Sequence, residues 1–321
     1  MTSHNRSILE IDFNNKETCK ENFDREVLSS DKCMNTLYKM NVYKNTNIPS
    51  SLFRFRECNI KNIKSIKNNR LWFSNPNDFN DPYDSYISFN FKKEFSKNSE
   101  SYKPVLESIQ QAKLFTNDEL DEIFIAGHKY DKLQEIIYKN YNKEIQQKIN
   151  LYITEIEENF YNSLSNEKNK YFKNKLKVCC LSESKKSIKM WSHYADEHKG
   201  FCVEYETSRF KNRDNIYPVV YTNSLIDSSS YNIIESGFIP ALIIKAEEWR
   251  DEEEWRIIKE TEDKFYIEAK PKAIYLGCEI KIGVKRLCVL KSYCEKNSIA
   301  LYQARMKSNE FMLNFSTIYQ P

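Results

Sequence analysis

Glycine is scarce: five occur in 321 residues (Gly127, Gly200, Gly237, Gly277 and Gly283), and no two have the spacing of a phosphate-cradling loop. Walker and Rossmann fingerprints are therefore absent, which removes the commonest nucleotide enzymes, whose loops use glycine to bring backbone close to phosphate. Paired cysteines are missing too. The nine (Cys19, Cys33, Cys58, Cys179, Cys180, Cys202, Cys278, Cys288 and Cys294) are odd in number and lack CxxC spacing, which argues against a disulfide framework or structural zinc. No stretch approaches the ~20 apolar residues of a membrane span, and Met1 to Lys16 holds no apolar run of signal-peptide length. The expectation is a protein of the reducing cytoplasm with no membrane partner. An excess of one charge is also lacking: 49 Lys and Arg face 46 Asp and Glu, a net +3. That is too little for non-specific attraction to a polyanion, so a nucleic-acid partner would need a local basic patch.

What is present is apolar and aromatic material in quantity. The chain is 40% hydrophobic with 21 Tyr and 19 Phe, enough to offset the conformational entropy lost on folding. Residues 1–45 are polar and Asn/Lys-rich, the composition of a loosely docked extension. From residue 46 to 321 the pattern is that of a single α+β domain. LFRFREC alternates, with Leu52, Phe53 and Phe55 around Arg54 and Arg56, and predicts a strand. Ile60, Ile63 and Ile66 recur every third residue, which predicts a short helix. Another strand is expected at Leu71 to Phe73, followed by an ordered loop rich in Asn, Asp, Pro and Ser. About residues 105–177, Leu, Ile, Glu, Lys and Gln at helical spacing predict an insertion of three or so helices. Beyond it, KVCCLSE, GFCVEYE, YPVVYT, EWRIIKE, FYIEA, AIYLG, IALYQARMK and EFMLNFS read as strands. Short helices are expected at MWSHYADEH and near Val284 to Asn297.

Three polar blocks could carry chemistry. FNDPYDS places Asn80, Asp81 and Asp84 around a proline, which also suits a plain capping turn. KMWSHYADEHKGFCVEY sets Trp191, His193, Tyr194 and His198 ahead of Gly200. The five-residue step between its histidines is not the i, i+4 spacing of a helical metal pair, so zinc is not expected. KAEEWRDEEEWRIIKE is the most informative. As a strand from Glu252 to Lys259 it would aim Glu252, Glu254 and Arg256 to one face and Trp255 and Ile257 to the other. Two carboxylates side by side over open space would then raise each other's proton affinity. As a helix, the same acids would only be a solvated face.

The ordered set LFRFR, LWFS, FNDPYD, CLSE, MWSHYADEHKGFCVEY, WRDEEEWR and AIYLG resembles a large prokaryotic and phage family known as a domain of unknown function, family 2971. The resemblance covers about Ser51 to Cys278 apart from the helical insertion. The layout also resembles ADP-ribosyltransferases, with a basic residue on an early strand, an aromatic/Ser block and a late Glu-x-Glu. That likeness implies a mixed or antiparallel split β-sheet core and NAD as a substrate, with no metal. It implies a macromolecular acceptor, nucleic acid or protein, and the setting of a toxin or phage-defence effector with a possible regulator or antitoxin. In the carried-over roles, Glu254 is the catalytic acid residue, Glu252 positions the acceptor or holds Glu254, and Arg54 or Arg56 meets the pyrophosphate. Trp72 and Ser74 would hold the nicotinamide ribose and Asn80 and Asp81 the cofactor loop. Trp191, His193 and Tyr194 would wall the nicotinamide or acceptor side. The His-type first motif and Ser-Thr-Ser second motif of well-known toxin branches are missing.

Two other readings use the same residues. A metal-dependent nuclease or phosphodiesterase would hold Mg²⁺ on Asp81, Asp84, Glu252 and Glu254. A non-catalytic module would stack bases or a peptide on Trp72, Trp191 and Trp249. Nothing in the sequence sets an oligomeric state.

Overall fold

The computed structural model describes residues 16–28, 43–86, 88, 97, 99–211, 213–225, 238–260, 265–281 and 283–321. Within the polar first stretch, α1 (Lys16–Leu28) is a helix that buries Phe23 and Val27; residues 1–15 and 29–42 of that extension lie outside the described residues. Contacts divide the chain into two compact units: Met1–Tyr86 with Lys173–Ser224 and Phe238–Pro321, and Ile87–Phe172 with Leu225–Gly237.

The first unit is the α+β body. The alternation of LFRFR becomes β1 (Ser51–Arg56) and the spaced isoleucines become α2 (Ile60–Lys67), capped by the Asn59 side chain accepting from the Asn62 N–H and burying Ile63 and Ile66. β2 (Arg70–Trp72) follows. After the helical unit come β3 (Leu176–Ser182), the short helix Ile188–Tyr194, β4 (Phe201–Glu206), β5 (Ile216–Pro218) and β6 (Val220–Thr222). Helix Phe238–Ile243, β7 (Ile244–Ala246), a 3-10 segment Glu247–Glu252, and strands β8 (Glu254–Glu260), β9 (Tyr266–Glu268) and β10 (Ala273–Leu276) complete the middle. Helix Val284–Asn297 then leads to β11 (Ala300–Met306) and β12 (Leu313–Tyr319).

Eight strands form one mixed sheet in the order β12-β11-β10-β4-β1-β3-β8-β5. Every neighbouring pair is antiparallel except β10 and β11, and the Val284–Asn297 helix supplies the crossover that a parallel pair requires. Two small sheets pair β2 with β9 and β6 with β7. Period-2 alternation covers both faces of the large sheet. Leu52, Cys179, Val203, Tyr205, Trp255 and Ile257 join one core with Leu290, whereas Phe53, Phe55, Cys202 and Tyr275 join another with Met190 and Trp191. Each such buried side chain contributes about 1.5–3 kcal/mol.

The β1–β3 ladder is the sheet's weak seam. Its one registered pair is Phe53↔Ser182. Past that point β3 is bridged instead by Ser74, whose N–H donates to Val178 O at 2.8 Å while the Val178 N–H donates back at 3.0 Å. The sheet is thus split next to Arg54 and Arg56.

The second unit is helical. The insertion expected at about 105–177 contains four helices: α3 (Lys103–Gln111), α4 (Asn117–Ile125), α5 (Lys129–Asn140) and α6 (Lys143–Lys175, whose last residues, from Lys173, belong to the first unit). Their apolar stripes meet through Leu106, Ile109, Ile123, Leu133, Ile137 and Ile153. A capping box starts α4: Thr116 Oγ1 accepts from the Glu119 N–H, and Glu119 accepts from the Thr116 N–H at 2.8 Å.

Candidate active site

The split in the sheet opens onto a cavity of about 350 Å³. Its lining brings Arg54 and Arg56 of β1, Ser74, Asn80, His193 and Tyr194 together with Glu252 and Glu254, residues drawn from four separate stretches of sequence. These are eight of the eleven residues to which the transferase likeness gives a role.

The other three are elsewhere. Trp191 is fully buried, packs edge-on against Phe55 at 5.2 Å and donates its indole N–H to Lys185 O at 2.8 Å. It is a core residue and not a cavity wall, because its ring closes the sheet face under β1 and its one polar atom is already satisfied. Trp72 lines a different cavity. Asp81 shapes a turn, accepting from the Tyr83 N–H and from Trp249 Nε1, each at 2.9 Å.

The acidic block meets the cavity by an unforeseen route. The strand starts at Glu254, not Glu252; Glu252 ends the 3-10 segment and Glu253 takes a left-handed conformation, φ 45°. In a regular strand the two carboxylates would share a face by period-2 alternation. Here the left-handed kink turns Glu252 back so that both reach one ammonium, Lys245 of β7. They do not stand over open space: both are buried in an ionic cluster. The body that holds them was foreseeable, since Trp255 and Ile257 do anchor β8 in the core.

Arg256, wholly buried on β8, organises that cluster. It donates to both oxygens of Asp84 (Nη1–Oδ1 2.8 Å, Nη2–Oδ2 2.7 Å) and both of Glu254 (Nε–Oε1 2.8 Å, Nη2–Oε2 3.0 Å). A further bond reaches Leu242 O at 2.7 Å, so all five guanidinium N–H groups are used. Lys245 adds a bond to Glu254 at 3.1 Å, an ion pair with Glu252, and Asp84 at 3.7 Å. Ser85, beside Asp84, is also left-handed, φ 58°. Two non-glycine residues held at positive φ cost about 1–3 kcal/mol each, and the cluster over-determines both.

Counting acceptor directions separates the two glutamates. A carboxylate has about four. Glu254 fills them with two Arg256 bonds, Lys245 and the Cys180 thiol. Among the described residues Glu252 receives Lys245 and the Tyr194 hydroxyl alone, the latter at 2.8 Å. Their proton affinities diverge accordingly. Burial would raise Glu254, but Arg256 and Lys245 outweigh it and hold its pKa down at about 2. Burial raises Glu252; Lys245 opposes this and the charge on Glu254 adds to it, and the pKa ends above the usual carboxylate value. Burial would strip the proton from Lys245, yet Glu254, Glu252 and Asp84 keep it charged. Burial, then the Glu252 charge, pushes the Tyr194 phenol up, so it stays a donor. Lys245 was missed in the sequence, and Arg256 was placed on the face of the two glutamates without a role; the signal for that role is a charged residue alternating with Trp255 and Ile257 on a strand buried on both faces.

The arginines differ as well. Arg54 is buried and its guanidinium donates to Cys179 Sγ. Arg56 is half-buried at the end of β1 and has no ion-pair partner among the described residues. Gly200 sets that end: a Cβ there would collide with Arg56 O and crowd Ala195 O at 2.8 Å. The carboxylates a Mg²⁺ ion would need are engaged otherwise, Asp84 and Glu254 by a guanidinium and Asp81 by an indole.

Residues 190–257 match the model of DUF2971, a protein family of unknown function. The matched segment carries His193, Tyr194, Lys245, Glu252, Glu254 and Arg256, whereas Arg54, Arg56, Ser74, Asn80 and Asp84 lie before it. Neither the curated proteins nor the solved structures contain a match to the chain. No described helix is long and apolar enough to cross a membrane.

Proposed function

We propose that this cavity takes NAD as a substrate and transfers its ADP-ribose to a macromolecular acceptor, as ADP-ribosyltransferases do. The observation that carries the reading is the meeting of Arg54 and Arg56 with Glu252 and Glu254 in one cavity, at a split in a mixed sheet. Its volume, about 350 Å³, falls at the lower end of the range of small-molecule sites, roughly 300–1,000 Å³.

Each residue has a role in this reading. Arg56, whose planar fork is uncommitted, pairs with the diphosphate. The bond between ribose C1′ and the nicotinamide nitrogen breaks with its electron pair going to nicotinamide, which leaves positive charge on the ribose. The two carboxylates facing it, Glu252 and Glu254, are fixed in place by Lys245 and Arg256 and stabilise the developing charge. An acceptor nucleophile then bonds C1′ and loses its proton to Glu252. Glu252, with spare acceptor directions and raised proton affinity, suits that base role better than Glu254. Glu254 is a positioning residue that fixes Lys245 and Arg256. This exchanges the roles carried over from the Glu-x-Glu likeness, because the acceptor directions of Glu254 are filled. His193, exposed at the rim, and Tyr194 flank the acceptor side.

The test is incubation with NAD labelled in its adenylate, in chelator, with separate pools of RNA, DNA and protein. Label enters one pool with the native chain, and Glu252→Gln and Arg56→Ala lose it. Absence of label in every pool, with nucleic-acid cleavage in a parallel incubation that holds Mg²⁺ in place of chelator, would replace this reading with the metal-dependent one.

A further inference from the structure

A second cavity, of about 250 Å³, shares Arg54, Arg56 and Ser74 with the first and adds Lys61, Arg70 and Trp72. Its chemistry is opposite to that of its neighbour. Four cationic side chains line it and no carboxylate does. Among the described residues, Arg56, Lys61 and Arg70 make no ion pair; Glu268, opposite Arg70 across the β2–β9 pairing, is exposed and not bound to it. Helix α2, which supplies Lys61, carries Lys64 and Lys67 besides and no acid at all. In a chain of net charge only +3, this is the local basic patch that a polyanion would need.

The cavity also has an aromatic lip. Trp72 is 39% exposed, and its ring lies 5.2 Å from that of Tyr266, which in turn carries the Arg70 guanidinium at 4.5 Å. A guanidinium fork beside accessible ring faces matches one kind of ligand, a phosphate with an unstacked base attached. A phosphopeptide would use the cations and leave the rings idle. Duplex bases, already stacked, would do the same.

We propose that the second cavity binds a phosphate of a single-stranded nucleic acid, with Arg70 and Lys61 on the phosphate and the Trp72–Tyr266 pair stacking the adjacent base. The strand is thereby led past Arg54 and Arg56 into the first cavity, where, on the reading above, it is the acceptor of ADP-ribose. Only that last step rests on the preceding proposal; binding needs no NAD.

The experiment is fluorescence anisotropy with a short labelled RNA and a DNA of the same sequence, single-stranded and as duplexes, without NAD. At least one single strand binds, with affinity falling as salt rises by a slope of about 0.7 per phosphate engaged. The Lys61→Ala/Arg70→Ala double variant weakens binding by about tenfold or more. Trp72→Ala weakens it roughly fivefold or more, whereas Trp72→Phe retains it and shows that the fold survives. Equal affinity in the double variant would overturn the proposal, as would duplex binding as tight as that of the single strand. Displacement of the strand by NAD alone, with Lys61 and Arg70 needed for NAD binding, would assign the cavity to the dinucleotide and also overturn it. Strand binding with no label transfer sinks only the transferase reading.

Discussion

In the helical unit one buried carboxylate, Glu157, meets one ammonium and one hydroxyl, Lys97 at 2.7 Å and Tyr102 at 2.7 Å. In the sheet unit three carboxylates share the buried cations Lys245 and Arg256 along a cavity wall, and buried Lys173 donates to Asp84 O at 3.1 Å. Both arrangements solve the same problem, since a buried charge must be paired or it costs several kcal/mol. They differ in what is left over. The Glu157 set balances, and its surroundings are the aliphatic core of α3 to α6. The Glu252–Glu254 set keeps a carboxylate, Glu252, with unfilled acceptor directions among the described residues and two left-handed residues beside it, Ser85 and Glu253. An incompletely bonded carboxylate and retained strain next to a cavity mark a site, whereas a closed pair marks scaffolding.

The largest break in that comparison comes from Arg256→Met. It strands Asp84 and Glu254 without their shared guanidinium, and urea denaturation is expected to show a loss of about 3–5 kcal/mol. A loss near zero would mean that the cluster does not hold the sheet together. Glu157→Gln keeps the shape and an acceptor for Tyr102 and gives up only the pair with Lys97, whose side chain is one-third exposed. The expected loss is about 1 kcal/mol, screened by solvent, with NAD chemistry unaltered.

The two glutamates sharpen the contrast through pH. The folded pKa of Glu254, about 2, lies below its ordinary value of 4.5. Its stabilisation is therefore present above pH 4.5 and lost as pH falls towards 2, so Glu254→Gln flattens the acid limb of a stability–pH curve. Glu252 has the opposite sign: its raised folded pKa gives a contribution present below 4.5 that disappears as pH climbs through the folded value. Glu252→Gln removes that decline. Chemical denaturation across pH separates them, and parallel curves for the two variants would contradict the split in proton affinity. The smallest effect is on Lys61, exposed on α2. Its replacement by Ala is expected to move stability within about 0.5 kcal/mol, so any loss of strand binding in the variant is a loss of ligand contact.

Much of the fold was legible because burial leaves periodic traces. Alternation marked β1, β4 and β8, spaced isoleucines marked α2, and the helical run marked α3 to α6. The candidate site was legible as blocks, and eight of the eleven residues chosen line one cavity. Three failures share a cause: side-chain direction depends on tertiary context. Trp191 sits in an Asp/His-rich block yet faces the sheet, and Asp81 is consumed by Trp249 from a distant segment. The Glu252–Glu254 juxtaposition was expected from strand alternation and is made by the left-handed turn at Glu253, which no local rule requires of a glutamate. Alternation set Arg256 on the face of Glu252 and Glu254 but not its pairing role, and Lys245 escaped because a charge that neutralises buried charge has no periodic signature of its own.

The most direct test is nicotinamide release from NAD by the native chain and by Glu252→Gln, measured side by side near pH 7 with folding of both checked by their thermal midpoints. The account predicts release by the native chain and a fall of about 10²–10⁴-fold on substitution with the fold intact. Equal release from the two proteins, or none from the native chain with acceptor supplied, would contradict it.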